Sequence, residues 1–491
     1  LSEVISIATI APLLGMVLGG VDNVYIKNFE DLLNGIGISL DKSSELIFFL
    51  FCVVLILSIY LRYRQQRAIT EFSFYCGAEV ARKIYSGILN SPYEKINILN
   101  SSEAISTIGV KTGSIIFQYV QPLLMLSSAV FSLFMVSITI YIILPIYVWP
   151  VIFLYVVFFY SVARIIKNKI ERNGSSVAHD EVESVRLIQE GVNGIRDVII
   201  NETTLKMTSQ FSNTVKNLRR AQSENSVLSF SSKYLAEGLA FLLLVSGGVL
   251  AFKITKDIDM VLPVFGVLIY AAQRALPVAQ SFFNSWAIIK SGKKNISDVI
   301  EMLLKYQVKN EKKSNKKMVD SFKKYQFINA SYYYNNATNA VLSNINMEIK
   351  YGEKIAIIGP SGSGKTTFID IFSTLLPVKE GDGYINDINI KYIDKKDWIR
   401  SISYVPQDVF LVDGTILDNV IFGVSKNKID RQLLQKSIKD SCLLEYLESL
   451  PEGLEAKVGE GGSMLSGGQK QRIGIARALY KNTPIIIFDE S

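Results

Sequence analysis

Two short segments in the last third of the chain combine residue types and spacings that suit phosphate chemistry. Residues 359–367 read Gly-Pro-Ser-Gly-Ser-Gly-Lys-Thr-Thr and follow the apolar run Lys354–Ile358, which predicts a buried strand leading into a glycine-rich loop. The glycines let backbone N–H groups turn toward phosphates, and a helix beginning near Thr366 points its positive end at the same anion. Lys365 is predicted to reach the outer phosphates, and the Thr366 hydroxyl is a magnesium ligand. The predicted nucleotide-binding residues of this loop are Gly359, Pro360, Ser361, Gly362, Ser363, Gly364, Lys365, Thr366 and Thr367.

Two adjacent carboxylates form the second segment. The apolar run Ile485–Phe488 predicts a strand, and Asp489 and Glu490 follow it directly. Asp489 is predicted to hold Mg²⁺, directly or through water. Glu490 is placed to polarise the attacking water as a general base, which predicts hydrolysis of the bound ATP.

Between these segments, Leu465-Ser-Gly-Gly-Gln469 resembles the signature pentapeptide of the ATP-binding-cassette (ABC) family. At a helix N-terminus, Ser466 and the amides of Gly467 and Gly468 form a second anion cradle, which Gln469 completes as a nucleotide-contacting residue. The resemblance implies that this cradle closes over the γ-phosphate bound to an opposite subunit. The implied partner is a second half-transporter, either an identical copy or, as the alternative, a paralogue in a heterodimer.

Further residues match the same family. Gln407 in Tyr404-Val-Pro-Gln407 resembles the glutamine that senses magnesium and the γ-phosphate. Tyr334 resembles the aromatic residue that stacks on adenine, with Tyr332 or Tyr333 as alternatives and an aromatic-rich strand as the plain reading. Val458–Gly462 resembles a short loop of exporters that contacts the cytoplasmic helices, with an ordinary glycine-rich turn as the alternative. The resemblance implies ATP and Mg²⁺ as cofactors and an ATPase coupled to transport.

The composition divides the chain into a membrane part and a soluble part. The 491 residues are 49% hydrophobic, with a mean hydropathy of +0.26, and the apolar excess lies in the first part. We predict a transmembrane exporter domain at 1–295, a linker at 296–324 and a nucleotide-binding domain at 325–491. The net charge of +7 is interpreted as positive-inside topology rather than nucleic-acid binding. The three cysteines argue against a disulfide framework and a zinc site, and the single histidine excludes a His-based catalytic pair.

Hydropathy and charged flanks predict six spans with two long cytoplasmic excursions. The predicted spans are Val4–Leu18, Leu46–Leu61, Ile115–Leu144, Val151–Val162, Leu235–Phe252 and Met260–Ile289. The predicted fold is a membrane α-helical bundle of six spans with long cytoplasmic extensions, followed by an α/β P-loop ATPase domain that is incomplete at its C-terminus. The predicted location is the plasma (inner) membrane, multi-pass, with the ATPase domain cytoplasmic.

The whole chain resembles ABC exporters in which the membrane domain precedes the ATPase, and three features resemble bacterial lipid-linked oligosaccharide flippases. They are a candidate external helix at Ile26–Ile36 (or a packed loop), Lys233 in Lys-Tyr-Leu-Ala-Glu-Gly, and Arg274 in Tyr-Ala-Ala-Gln-Arg-Ala-Leu-Pro. At 1.5 Å per residue, both basic residues lie roughly 20–30 Å below the outer turns, toward the cytoplasmic leaflet. Lys233 and Arg274 are therefore substrate-binding candidates. The alternatives are that Lys233 snorkels or pairs with Glu237 and that Arg274 forms a structural ion pair.

The resulting functional prediction is ATP-driven export or flipping of an amphipathic, lipid-linked glycan by alternating access, with membrane lipids as surroundings and no nucleic-acid partner. The nucleotide domains are expected to contact the spans near Ser91–Asn97 and Arg186–Asn201. The alternatives are a multidrug or lipid exporter and, from another class, an inactive, non-transporting fragment. We expect the chain to be truncated at both ends, because Leu1 falls inside an apolar segment and the Ser-Ala-Leu-Asp loop and later histidine of the family are not in the sequence.

Overall fold

The computed structural model of the protein describes residues 44–143, 149–255, 258–307, 321–334 and 339–489. These residues fall into two compact units. The short segment Pro92–Ile98 belongs to the second unit, together with the chain from Lys309 onward, although its sequence neighbours belong to the first. The predicted first span, Val4–Leu18, and the candidate external helix, Ile26–Ile36, lie outside the described residues.

Helices make up the whole of the first unit's described structure and are numbered through both units. They are α1 (Ser44–Leu89), α2 (Tyr93–Ile96), α3 (Ser101–Ser106), α4 (Thr112–Ser114), α5 (Gln121–Ile143), α6 (Trp149–Asn193), α7 (Ile195–Ile200), α8 (Thr204–Thr255), α9 (Ile258–Lys305), α10 (Lys365–Phe372), α11 (Lys395–Arg400), α12 (Ile416–Val420), α13 (Arg431–Asp440), α14 (Leu444–Glu448) and α15 (Gly467–Tyr480). Two π-helical turns, Thr107–Lys111 and Ile115–Val120, join α3, α4 and α5 into one continuous helical stretch.

Four helices of the first unit, α1, α6, α8 and α9, are 45 to 52 residues long. At 1.5 Å per residue each is about 70 Å or more in length, over twice the ~30 Å hydrocarbon core of a bilayer. These lengths agree with the prediction of helices that project well beyond a membrane. By length and composition, one helical stretch of the described residues, Ser101–Ile138, is suited to cross a bilayer. The count of six spans stays a prediction.

Close contacts between α6, α8 and α9 hold the first unit together. A Cβ atom on Gly174 would lie 2.0 Å from the Ser291 carbonyl oxygen, so the two backbones touch where only glycine fits. Nearby, the Asn225 side chain of α8 donates to Ser291 Oγ at 2.8 Å and to the Ile170 carbonyl at 3.4 Å. One amide therefore ties three helices together at the level where α6 and α9 are in closest contact.

A buried ion pair joins the α3–α5 stretch to α9. The Lys111 side chain is 2% exposed and pairs with Asp298, which also accepts from Lys294 at 2.8 Å. On the adjoining turn, Asn295 donates to Glu181 of α6 at 3.2 Å. Burial raises the pKa of the Glu181 carboxyl, and the Asn295 bond opposes that rise.

This arrangement predicts an asymmetry between the two partners. Asp298→Ala would leave the buried Lys111 ammonium without its paired carboxylate, a change that costs about 3–5 kcal/mol of unfolding free energy. Lys111→Met should cost less, because Asp298 keeps Lys294. Thermal unfolding of the detergent-solubilised protein would measure both, with the exposed Lys294→Ala as the control at about 0–1 kcal/mol. Equal losses from Asp298→Ala and Lys294→Ala would contradict the pairing.

The second unit contains two sheets. Four antiparallel strands are arranged in the order β2-β1-β3-β4, and two parallel strands, β5 and β6, pair with each other. The strands are β1 (Lys324–Tyr332), β2 (Leu342–Lys350), β3 (Glu380–Ile385), β4 (Ile388–Asn389), β5 (Ile402–Val405) and β6 (Ile485–Phe488). Short 3₁₀ turns lie at Ile390–Tyr392, Lys426–Lys428, Gly453–Glu455 and Glu460–Gly462.

The prediction of a buried strand at Lys354–Ile358 is wrong for this structure. The segment is not hydrogen-bonded into a sheet, and its apolar side chains are exposed, Ile358 by 93%. An extended segment becomes a strand only when a neighbour supplies a ladder of backbone hydrogen bonds, and among the described residues β5 and β6 make theirs only with each other. The apolar pattern indicates that these residues favour a strand when a neighbouring strand is available. It does not indicate whether that neighbouring strand is present.

Trp398 anchors the core between the antiparallel sheet and α10. Its ring is fully buried against Tyr325 and Phe372, with centroids 5.6 and 5.7 Å away. The indole Nε1 donates to the Phe372 carbonyl at 2.8 Å, so the polar atom is satisfied where α10 ends. This packing fixes the C-terminal end of the helix whose N-terminal end follows the glycine-rich loop.

Candidate nucleotide-binding site

The glycine-rich loop ends at the N-terminus of α10 in a conformation that requires glycine. Gly362 and Gly364 have φ angles of +80° and +90°, in the left-handed region that side-chain-bearing residues avoid. Gly364 is the N-cap of α10, and no side chain caps the helix. The first backbone amides of α10 therefore have no intrahelical acceptor and no capping side chain, the arrangement that binds phosphate at a helix N-terminus.

Lys365, the first residue of α10, folds back over this loop. Its Nζ donates to the Gly359 carbonyl at 2.8 Å and to the Pro360 carbonyl at 3.1 Å. The next residue, Thr366, is exposed, so its hydroxyl is accessible to a ligand. The loop, the ammonium and the hydroxyl thus lie together as the sequence pattern predicts.

Of the three candidate tyrosines, Tyr334 lies beside the loop. Its hydroxyl is 3.3 Å from Thr367 Oγ1, and its ring makes an edge contact with Tyr332 at 5.1 Å between centroids. Tyr332 is fully buried, whereas Tyr333 and Tyr334 are each more than a third exposed. An adenine ring needs an accessible aromatic face, so the placement favours Tyr334 for the stacking role.

The acidic residue Asp489 follows β6 and is held by the neighbouring strand. Its backbone N–H donates to the Val405 carbonyl at 3.0 Å, and its Oδ2 accepts from the Tyr404 hydroxyl at 2.9 Å. Burial, with a smaller contribution from Asp489, raises the pKa of Asp370 on α10 to about 6. Gln407 lies exposed two residues beyond β5, and Glu490 lies outside the described residues.

The donor types at this site suit magnesium. A threonine hydroxyl, a glutamine amide oxygen and a carboxylate are all hard oxygen ligands, which Mg²⁺ takes in preference to nitrogen or sulfur. In the described part of the chain, no group of three or more His, Cys, Asp or Glu side chains could hold a metal. Thr366, Gln407 and Asp489 are the residues that would hold Mg²⁺.

The signature segment forms the start of a second helix. Ser466 is the N-cap of α15; its Oγ accepts from the Gln469 amide at 3.3 Å, while Gln469 Oε1 accepts from the Ser466 amide at 2.7 Å. Ser466, Gly467 and Gly468 are exposed, and a Cβ on either glycine would meet no atom within 4 Å. The helix N-terminus is therefore formed, capped and open on the side that the family places against a partner's nucleotide.

Arg477 positions this helix. Its guanidinium donates to the Asn419 carbonyl at 2.8 Å, to Asn419 Oδ1 at 3.0 Å and to the Phe410 carbonyl at 2.9 Å. Burial lowers the pKa of Arg477, whose three acceptors here are neutral carbonyl and amide oxygens. The glycine-rich segment Val458–Gly462 is a turn with positive φ at Gly459, Gly461 and Gly462, and Lys470 of α15 donates to the Gly461 carbonyl at 2.9 Å.

The first predicted cytoplasmic excursion includes α2, which lies in the same compact unit as the site. Glu94 of α2 pairs with Lys379 at 3.2 Å, and the Lys379 ammonium lies 5.9 Å from the centroid of the Tyr332 ring. Tyr332 in turn contacts Tyr334. In the second excursion, Arg186–Asn201, the three isoleucines of α7 are more than half exposed: Ile195, Ile199 and Ile200.

The two candidate substrate residues are placed by backbone only. Lys233 lies on α8 and Arg274 on α9, and both side chains fall outside what the structure describes. The same helices are joined by a bond from Gln280 Nε2 to Glu237 Oε1 at 3.2 Å. Glu237, the alternative partner of Lys233, therefore has a neighbour on α9.

Sequence reasoning gave no role to Tyr404, Asp370 or Lys379, and it included Glu94 only as part of the Ser91–Asn97 contact region. Tyr404 pairs in register with Ile487, two residues before Asp489, so a parallel pairing of β5 with β6 would have predicted that they are neighbours. The pairing of Glu94 with Lys379 joins positions 285 apart in the chain, and nothing in either local sequence signals it.

A glycine-rich loop at a helix N-terminus, with an aspartate after a parallel strand, defines a P-loop nucleotide-binding domain. Residues 342–491 match the ABC transporter family model, which shows an ABC ATPase domain in this part of the chain. The prediction of an ABC ATPase domain, made from the loop and signature motifs, is thereby confirmed.

Known proteins that are similar to this chain match it over segments of different length. An ATP-dependent lipid A-core flippase of Cupriavidus metallidurans is 39% identical over 34% of this chain and 28% of its own length. ATP-dependent lipid A-core flippase 2 of Colwellia psychrerythraea is 26% identical over 87% of this chain and 74% of its own length. A bacterial Atm1-family ABC exporter with ATP bound has the same fold, with a TM-score of 0.77 at 19% identity over 98% of this chain and 84% of that one. The chain therefore has an exporter-type fold, and its matched segment spans little more than a quarter of the first of these relatives.

Proposed function

We propose that the protein is one half of an ATP-driven exporter that moves an amphipathic lipid across the membrane. The observation that carries this proposal is the combination, in one ATPase unit, of a formed phosphate loop, Asp489 close to the helix that follows the loop, and an exposed signature helix N-terminus. The exporter fold of the whole chain and the relatives called lipid A-core flippases support it.

In the proposed mechanism, each residue of the site binds, orients or accepts a proton. Tyr334 stacks on adenine, the amides at the start of α10 and the Lys365 ammonium bind the phosphates, and Thr366 and Asp489 ligate the ion. Glu490 accepts the proton of the attacking water, while Gln407 senses the metal and the γ-phosphate. ATP, when bound as its magnesium complex, supplies the free energy.

A second half-transporter completes the site. Ser466, Gly467 and Gly468 are open to solvent, and in the family they cover the phosphates of the other subunit. The exposed isoleucines of α7 are a second apolar surface that a partner would cover. A homodimer gives two equivalent sites from one gene product, and a heterodimer with a paralogue is the alternative.

Transport then follows from two states of unequal stability. Closure of paired nucleotide domains would favour the outward-open state, and hydrolysis would restore the inward-open one. Glu94 of α2 pairs with Lys379 inside the second unit, and α2 belongs to the first predicted excursion, which we propose transmits this motion to the spans. We place the protein in the inner membrane with its ATPase domain in the cytoplasm.

The proposed substrate is a lipid-linked glycan. Its pyrophosphate is anionic, and Arg274 and Lys233 are the basic residues that the flippase resemblance assigns to it. A multidrug or lipid exporter would need no such basic residues in its cavity. An inactive fragment would move no substrate at all.

Flipping of a fluorescent polyprenyl-pyrophosphate oligosaccharide in proteoliposomes would test this proposal. We expect MgATP-dependent protection of the probe, reduced about tenfold in Arg274→Ala by loss of one charge-assisted contact of about 1.5–3 kcal/mol. Arg172→Ala, an exposed arginine of α6, is the control and should flip normally. Stimulation of ATPase by hydrophobic cations only, with no flipping, would support the multidrug alternative instead.

A further inference from the structure

The Tyr404 side chain makes a direct contact with the residue that is proposed to bind magnesium. Its hydroxyl donates to Asp489 Oδ2 at 2.9 Å, across the pair of parallel strands β5 and β6. The sequence motifs assign no role to Tyr404, which lies three residues before Gln407. Because a carboxylate oxygen only accepts, the phenol hydroxyl is the donor in this bond.

We propose that Tyr404 is a positioning residue that holds the Asp489 carboxylate in the orientation required for Mg²⁺. This inference rests on the proposed function, because it assumes that Asp489 is the metal-binding carboxylate. Tyr404 itself touches neither metal nor nucleotide in this role and acts only through Asp489.

Asp489 is fixed by β5 at two points. The Val405 carbonyl accepts its backbone N–H at 3.0 Å, and the Tyr404 hydroxyl holds Oδ2. A carboxylate with its backbone anchored and one oxygen engaged has lost its main rotational freedom, so the direction of the whole carboxylate is set by β5. Such outer partners orient metal ligands, and removing one typically costs 10–100-fold in metal affinity.

The neighbouring carboxyl makes this bond more important. Asp370 lies close enough to Asp489 for the charge of Asp489 to affect it, so two acidic groups share one partly buried region. The hydrogen bond from Tyr404 holds one oxygen of Asp489 in place in this environment. Phenylalanine would keep the ring and its packing but would remove the one donor that β5 directs at the carboxylate.

The test uses Mn²⁺ as a magnesium substitute and the full-length protein in lipid nanodiscs loaded with one ADP per chain. Electron paramagnetic resonance of free Mn²⁺ gives the metal affinity, and fluorescence of TNP-ADP in EDTA gives the metal-free nucleotide affinity. We expect Tyr404→Phe to weaken Mn²⁺ binding about tenfold and to leave TNP-ADP binding in EDTA unchanged.

Tyr480→Phe is the matched control. The Tyr480 hydroxyl accepts from the Asp430 backbone N–H at 3.1 Å, so this variant also loses a tyrosine hydrogen bond, between α13 and α15. Both of its affinities should equal those of the wild type. A Tyr404→Phe protein that binds Mn²⁺ normally, or that loses TNP-ADP binding in EDTA as well, would overturn the positioning role.

A double-mutant cycle separates the positioning role of Tyr404 from the proposed role of Asp489 as the metal ligand. In an Asp489→Asn background, Tyr404→Phe should cause no further loss of Mn²⁺ affinity, because its partner is already altered. Additive losses would show that Tyr404 acts elsewhere and would refute the inference while leaving the metal site intact. Wild-type protein that binds TNP-ADP but no Mn²⁺ would instead remove Asp489 from its proposed metal role, and the Tyr404 inference with it.

Discussion

Lys365→Ala is expected to weaken ATP binding about 100-fold. The Lys365 ammonium lies over the loop, bonded to the Gly359 and Pro360 carbonyls, and a phosphate bound there would exchange these neutral acceptors for anionic ones. Loss of charge-assisted bonds worth about 3 kcal/mol in total corresponds to that factor. Titration of the protein with TNP-ATP would measure it.

Lys391→Ala is the matched control for Lys365→Ala. Lys391 is an exposed lysine of the same unit that pairs with Asp382 at 3.2 Å, away from the loop. Its removal should leave TNP-ATP affinity unchanged, since an exposed ion pair contributes about 0–1 kcal/mol to stability and nothing to the phosphate site. Equal affinities in all three proteins would show that the loop does not bind ATP as proposed.

Glu490→Gln is expected to bind ATP normally and to hydrolyse it at least 100-fold more slowly. A general base contributes about 10²–10⁴-fold to rate, and the amide cannot accept the proton of the attacking water. Because ATP stays intact, paired copies should accumulate in the closed state, which cysteine cross-linking or size-exclusion chromatography with ATP would detect.

The control for this variant is Glu445→Gln, on the helix α14 of the same unit. It changes one carboxylate to an amide without touching the proposed site, so hydrolysis by the protein expressed from its complete reading frame should be unaffected. Unchanged turnover in Glu490→Gln would remove Glu490 from the role of base.

Local patterns predicted the backbone geometry of the loop and of the signature helix well, because each motif encodes its own geometry. Gly362 and Gly364 adopt the positive φ values that only glycine tolerates freely, and Ser466 caps α15 three residues before Gln469. In both cases the residues that bind are within one turn of the residues that shape the backbone. Sequence alone is therefore enough to place the loop and the signature.

Predictions that depend on distant partners were less complete. The apolar run Lys354–Ile358 has strand-forming residues, yet no ladder forms there, because a strand depends on a neighbour that the run itself does not specify. The Tyr404–Asp489 bond and the Glu94–Lys379 pair each join remote parts of the chain. The contact between Tyr404 and Asp489 could be predicted only once the pairing of β5 with β6 was known.

In the helical first unit, too, the sequence did not predict contacts between distant residues. Composition predicts long apolar helices, and α1, α6, α8 and α9 have the expected length. It does not predict which helices touch, and the Asn225 and Lys111 contacts that hold them together involve polar residues with no periodic signal.

The most direct test of the account is the rate of MgATP hydrolysis by the purified protein, expressed from its complete reading frame, in nanodiscs holding one copy or two. Each ATP site is proposed to need the loop of one copy and the Ser466–Gly468 cradle of the other. Hydrolysis should therefore occur in two-copy discs and be at least 100-fold slower per chain in one-copy discs. Equal rates per chain, or no hydrolysis in either, would contradict a paired, ATP-driven exporter.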